Sequence, residues 1–334
     1  MGLFGRGKKD DKKKKKLTRI FFATDIHGSE RAFMKFVNAG KFYNVESLIL
    51  GGDLTGKMII PIVERKDGSH TANYLGNIFE FKKEDEVDAF EVEVRNAGYY
   101  PARMLQEVYD AIKDDDEAAD NLFVKLMGET VERWLKIAAE RLEPEGIKMY
   151  ITGGNDDDLR MNKFFEESAW AEYVEDKVVR IGEDYEMISS AYVNPTPWDT
   201  PREATEEELA EKIEAMVAQL ENVEMSIWNF HAPPYDSGLD VAPALDTSVY
   251  PPKPIMQSGE LVYTNVGSTA VREAIDKYQP MLGLHGHIHE AKGIRYIGRT
   301  VCMNPGSEYS EAILRGVIIN LDEKGVKSYQ TTSG

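Results

Sequence analysis

Five short apolar runs recur along the chain, and each closes on a small polar cluster. They are TRIFFAT before DIHG, SLIL before GGD, KMYI before TGGND, MSIWNF before HAPP and MLGL before HGHIH. Runs of this length, lacking helical spacing, predict buried strands. Segments with helical spacing lie between them. RAFMKFVNAG places Phe33, Phe36 and Val37 on one face, with Gly40 as a stop. Leu122, Leu126, Val131, Leu135, Ala138 and Leu142 mark a second helix. A third runs from about Glu206 to Leu220, with Leu209, Ile213, Met216 and Val217 on one side. Thr205 and Glu208 have capping-box spacing at its start. A fourth is expected after Gly267-Ser268-Thr269, with Val271 and Ile275 inward. Strands alternating with helices predict an α/β fold. GIRYIGRTVCMNPGSEY and AILRGVIINLD near the carboxyl terminus read as antiparallel strands, which makes the sheets mixed.

The long stretch between Asp53 and Asn155 breaks this rhythm. IIPIVERKDGSHTANYLGNIFEF predicts a hairpin around Asp67-Gly68, with His70 in its turn, and acidic helices follow to about Glu145. Residues 57–146 are therefore read as an insertion of hairpin plus helices, decorating one domain that spans 18–334. Residues 1–17, with the run KKDDKKKKK, predict a disordered basic tail, capable at most of weak contact with an anionic surface.

Charge and cysteine content narrow the function. A net charge of −18 over 334 residues argues against broad nucleic-acid binding. It leaves a small phosphate substrate open, because bound metal ions invert the local field. The single Cys302 excludes an internal disulfide pair and any multi-cysteine metal site, and fits a cytoplasmic location. No apolar run reaches the roughly 18 residues of a membrane span, and the amino terminus has no signal-peptide pattern. Nothing in the sequence sets an oligomeric state.

The polar clusters at the strand ends supply Asp25, His27, Asp53, Asn155, His231, His287 and His289. Five of the six histidines lie in or beside these segments. In open α/β sheets, sites form beyond the carboxyl ends of strands, so residues spread over the whole chain are expected to converge. Carboxylate, imidazole and amide ligands without thiolate suit first-row ions such as Mn, Fe, Co, Ni or Zn. Seven candidates exceed one catalytic ion that must keep an open position. They suit two divalent or mixed-valence ions sharing a carboxylate. Gly286 predicts that the strand before the histidine triplet ends there.

The order D-x-H, G-D, G-N, a lone His and G-H-x-H resembles the calcineurin-like metallophosphoesterases over roughly residues 18 to 321. The resemblance implies two packed mixed β-sheets flanked by helices, with a dinuclear centre at the strand ends. It assigns Asp25, His27 and His289 to the first metal, Asn155, His231 and His287 to the second, and Asp53 to the bridge. It further implies hydrolysis of phosphate esters by a metal-activated water. His285 matches no ligand of that pattern and is expected to support one, for instance by hydrogen bonding.

Two positions depart from the family. Asp156 follows Asn155 where the family usually has a histidine, and Lys57 stands where an arginine is frequent after the G-D aspartate. Asp156 and His285 are thus the candidate catalytic residues beyond the ligands. A carboxylate at 156 repels a monoester dianion more than a diester monoanion, which favours phosphodiesters. The alternatives are a phosphomonoesterase or protein phosphatase, a nuclease, and a non-catalytic metal-binding interaction module. Specificity is expected from the insertion and from the loops PPYDSGLD and NPTPWDTPRE, where Tyr235 and Trp198 can meet a base or another apolar group.

Overall fold

In β1 (Thr18–Ala23) alternate side chains point to opposite faces, and both faces are covered. Ile20 and Phe22 enter a cluster with Met187, Ile227, Leu282 and Met303 of a second sheet, whereas Phe21 and Ala23 meet helices. This two-sided burial explains why the strand reads as an unbroken apolar run. Each such buried side chain contributes about 1.5–3 kcal/mol relative to exposure. The structure is a computed structural model that describes residues 17–334. Apart from Leu17, the expected basic tail lies outside the described residues.

Two six-stranded mixed sheets form the centre. One has the order β22 (Gly325–Ser333), β21 (Arg315–Asp322), β1, β2 (Ser47–Gly51), β7 (Lys148–Thr152) and β8 (Ala171–Tyr173). The other runs β19 (Gly293–Ile297), β20 (Thr300–Asn304), β18 (Leu282–Leu284), β11 (Ile227–Phe230), β10 (Tyr185–Ser190) and β9 (Val178–Ile181). Strands β1, β2 and β7 are parallel, as are β10, β11, β18 and β20, whereas β21, β22, β9 and β19 pair antiparallel.

Helices cover the outer faces. Helix α1 (Glu30–Phe42) and helix α4 (Asp116–Leu142) bury Phe33, Phe36, Val131, Trp134 and Leu135 against the first sheet. Trp134 stacks on Phe33 with ring centroids 4.5 Å apart, and Arg133 reaches both carboxylate oxygens of Glu30. Helix α6 (Glu206–Val217) and helix α7 (Thr269–Tyr278) bury Leu209, Ile213, Val271 and Ile275 against the second. The expected capping box is present: Thr205 accepts from Glu208 N, and Glu208 accepts from Thr205 N. Among the described residues no helix is long and apolar enough to cross a membrane.

Residues 57–146 hold more sheet than the sequence suggests. The expected hairpin joins β3 (Ile59–Glu64) to β4 (His70–Tyr74). The sheet then adds β5 (Asn77–Phe81) beyond β4, and β6 (Tyr100–Leu105) parallel to β3. Helix α2 (Glu84–Asn96) packs Val87, Phe90 and Val94 on it, forming an apolar cluster with Ile60, Ile62, Tyr74 and Phe81. His70 is not in the turn: it opens β4, pairs with Glu64 and Phe81, and is buried. After the short α3 (Gln106–Ile112), α4 returns to the main core and leads back to β7, beyond which the short α5 (Asn162–Glu166) adds Phe165 to that core.

Candidate metal centre

The parallel strands β1, β2, β7, β11 and β18 deliver the ligand-type residues one to five positions beyond their last residue. Asp25 (φ 53°), His27 (φ 39°), Asp53 (φ 50°) and His287 (φ 67°) all adopt left-handed backbone conformations. Such conformations cost free energy in non-glycine residues and persist only where the surroundings hold them. Here Asp25 N donates to Gly52 O (3.0 Å), His27 N to Asp53 O (2.9 Å) and Gly28 N to Leu54 O (2.8 Å), lacing the first loop to the second. His287 N donates to the Asp25 carboxylate at 3.1 Å, tying in the histidine loop. Gly286 makes this approach possible, since a Cβ there would lie 2.5 Å from Asp25 Oδ2. The strand does end at Leu284, as Gly286 suggested.

One donor from each of Asp25, His27, Asp53 and His289 lies within 4.8 Å of the others. Within this group His27 Nε2 is 3.0 Å from His289 Nε2 and 3.5 Å from Asp53 Oδ2, and His289 Nε2 is 3.3 Å from Asp25 Oδ1. The remaining three candidates adjoin it. His231 Nε2 is 3.3 Å from Asp53 Oδ2, so this carboxylate oxygen faces both groups. His287 Nδ1 is 2.7 Å from Asn155 Oδ1. The Asn155 amide nitrogen is committed to Thr200 Oγ1 and Asp156 Oδ1, which leaves its oxygen toward the imidazoles. Asp25, His27, Asp53, Asn155 and His231 are buried, His287 and His289 are half-buried, and His27 Nδ1 and His231 Nε2 lack a hydrogen-bond partner. Buried orphan nitrogens beside two carboxylates fit a cation as the missing partner.

Proton affinities agree with such a set. Burial, with help from neighbouring cations, pushes His287 down to about 3 and His27 well below the usual range, so both are neutral at pH 7. Burial pushes Asp53 up to about 6 against the pull of His231. Burial also works to raise Asp25, but the surrounding imidazoles outweigh it and hold that carboxyl well below the carboxylate range.

Asp156 turns toward the site. Its Oδ2 is 2.6 Å from Lys57 Nζ and 3.7 Å from His27 Nδ1, and its backbone N donates to Asp53 Oδ1. His285 lies behind His231. Its Nδ1 is 3.0 Å from both Phe230 O and Ala232 O, the carbonyls on either side of His231, and its N donates to Met303 O. Burial holds it neutral, pushed down to about 4.

Several contributors gave no sequence signal. Asp157 is fully buried and ties the Asp53 loop to the Asn155 loop, accepting from Leu54 N, Thr55 N, Thr55 Oγ1 and Gly154 N. Arg202 is buried with Glu175 (2.8 Å) and donates to Asp157 O, while its N donates to Asn155 O. The Tyr309 ring lies 4.6 Å from that of His27.

No family model matches the chain. Over 132 residues it is 31% identical to the uncharacterized protein MJ1162 of Methanocaldococcus jannaschii, a stretch covering 39% of this chain and 52% of that protein. The match thus spans about half the length of that relative. Among solved structures, TT1561 of Thermus thermophilus superposes with a TM-score of 0.50 at 12% identity, over 95% of this chain and 99% of its own. A second solved structure reaches 0.54 at 13% identity, over 95% and 99% respectively. At these identities the likeness is one of fold alone: mixed sheets flanked by helices.

Proposed function

We propose that the chain is a dinuclear metal-dependent phosphoesterase of the calcineurin-like kind, acting on small phosphodiesters. The observation that carries this reading is the convergence on Asp53, whose one oxygen faces His27 at 3.5 Å and His231 at 3.3 Å. Asp25, His27 and His289 would hold one ion, Asn155, His231 and His287 the other, and Asp53 both. Two such ions supply Lewis acidity and a nucleophile from water at neutral pH. The protein's own part is to hold the donors in left-handed loops, keep the His27 and His287 imidazoles neutral and present Lys57 beside the centre. Elemental analysis and chelation test the reading. Two equivalents of transition metal and complete loss of phosphodiesterase activity on chelation are expected; full activity with one ion or none would overturn it.

Metal uptake should depend on pH through His231. Burial works to lower its pKa, but the carboxylates of Asp53 and Asp25 outweigh that and push it up to about 10. Below that value an incoming ion must displace the proton, so affinity at this position should rise by up to about tenfold per pH unit between pH 7 and 9 and level off above pH 10. Competition with a chelator of known affinity measures this. A flat response over that range would remove His231 from the ligand set.

The pair of Asp156 and Lys57 bears on ester preference. A lone carboxylate about 5 Å from a phosphate charge would repel it by roughly 3 kcal/mol at an effective dielectric of about 20, but the ammonium 2.6 Å from Asp156 offsets much of this. Asp156→His should therefore raise monoester over diester turnover by no more than about tenfold, and Lys57→Ala should lower the same ratio by a similar factor. Matched aryl mono- and diesters give the ratio; two shifts of the same sign would refute the electrostatic account. A protein that hydrolysed only monoesters would favour the phosphomonoesterase alternative.

A further inference from the structure

A cleft of about 520 Å³ opens on His287 and His289 and runs away from the centre between two loops. Pro195, Pro197 and Trp198 line one side, Pro243 and Leu245 the other. The second wall belongs to an arm of three ribbons: β12 (Val241–Pro243) with β17 (Tyr263–Asn265), β13 (Leu245–Asp246) with β14 (Lys253–Pro254), and β15 (Met256–Gln257) with β16 (Glu260–Leu261). A larger cavity of about 1160 Å³ sits at the opposite ends of the parallel strands, beside Thr18, Ser47 and Lys148, and holds none of the ligand-type residues.

The cleft's chemistry selects its occupant. The volume falls within the range of small-molecule sites and suits a group of nucleoside size. The walls are apolar and rigid, since proline has a fixed φ. Trp198, 53% exposed, offers an indole for stacking. Glu290 at the rim disfavours an anionic group there. Asn194 also lines the cleft. Its Nδ2 donates to Val266 O at 3.1 Å, whereas its Oδ1 is buried without a partner. A buried acceptor left unpaired costs about 1–3 kcal/mol, which a ligand N–H reaching Oδ1 recovers as long as Nδ2 keeps its bond to Val266 O.

We propose that this cleft is a nucleobase subsite, stacking a neutral base on Trp198 and pairing its exocyclic amine with Asn194, so that the substrate is a nucleotidyl phosphodiester. The substrate class rests on the phosphoesterase reading; the base subsite does not.

Uncharged nucleosides separate the two, because they need neither metal nor hydrolysis. Trp134 and Trp228 are buried, and the half-buried Trp170 lies outside the cleft, its indole N–H bonded to Ile147 O and its ring under Lys148, so quenching by a base in the cleft reports mainly on Trp198. Adenosine should quench saturably and ribose should not. Purine riboside, lacking the amine, should bind about tenfold more weakly than adenosine, a difference of 1.4 kcal/mol. Asn194→Ala should erase that difference. Trp198→Ala, at an exposed position that leaves the core untouched, should weaken adenosine binding about tenfold by calorimetry. Absence of quenching by adenosine, equal binding of the two nucleosides by the unmodified protein, or an amine preference that survives Asn194→Ala would each overturn the subsite. Adenosine binding as expected in a protein without phosphodiesterase activity would uphold the subsite while sinking the phosphoesterase reading. Hydrolysis of alkyl diesters blind to added bases would do the reverse.

Discussion

Asp53→Asn is expected to lower kcat/KM for a phosphodiester by at least about 10³-fold, roughly 4 kcal/mol of transition-state stabilisation. The change is nearly isosteric, so the effect comes from charge. Asp53 Oδ2 faces imidazoles of both donor groups, while Oδ1 accepts from Asp156 N at 2.9 Å. With a pKa raised by burial only to about 6, the carboxylate is ionised at pH 7 and can offset charge on two cations at once. An amide at that point offsets none. The metal-free variant should remain folded, because the amide oxygen still accepts from Asp156 N and the Asp25 carboxylate still faces His231 at 3.8 Å. That pairing of lost activity with a retained fold distinguishes a ligand defect from misfolding. His70→Gln, in the four-stranded sheet of β3 to β6, should leave kcat/KM within about twofold. Similar activity in the two variants would show that the centre has been misassigned.

What the sequence revealed of this centre was the set of strand ends. Asp25, Asp53, Asn155, His231 and His287 each follow a short apolar run, because a strand buried on both faces needs apolar residues throughout and its exit supplies the first polar ones. Helices α1, α6 and α7 were legible for the matching reason: each buries one face, so Phe33 and Phe36, or Leu209 and Ile213, repeat at helical spacing.

Other elements were hidden by the same physics. Strands β9 and β10 sit in VVRIGEDYEMISS, where Glu186 is buried yet accepts from Glu221 N and Asn222 N. A buried carboxylate satisfied from another segment reads as solvent-facing in one dimension. The arm of residues 241–265 consists of pairs of two or three residues, below the length at which alternation is visible. His70 was placed in a turn because the hairpin's polar tip runs into the polar start of β4. Arg202 and Asp157 are the sharpest cases. Both are charged side chains in loops, and distant partners, Glu175 for Arg202 and Leu54 and Thr55 for Asp157, mark them as interior.

Asp157 provides the second large effect. Asp157→Ala should destabilise the protein by about 4 kcal/mol and release metal, whereas Asp158→Ala next to it should cost about 1 kcal/mol and keep both ions. The run NDDD divides its labour by direction. Asn155 faces the imidazoles and Asp156 faces Lys57, while Asp158 accepts from Arg160 N at the start of a short 3₁₀ turn. Asp157 points inward, with Oδ2 accepting from Leu54 N (3.0 Å) and Gly154 N (2.9 Å), and Oδ1 from Thr55 N (2.8 Å) and Thr55 Oγ1 (2.7 Å). Truncation strands three buried backbone N–H groups and a hydroxyl. At about 1–3 kcal/mol for each unsatisfied group, with partial recovery by relaxation and entering water, a net of about 4 kcal/mol follows. The stranded groups flank Asp53 and Asn155, so their relaxation moves the shared carboxylate and an amide donor together. Urea unfolding of the metal-free proteins measures the stability difference, and metal analysis after gel filtration measures retention. Equal destabilisation by the two alanine variants, or full metal retention by Asp157→Ala, would show that the tie between the loops does not hold the centre together.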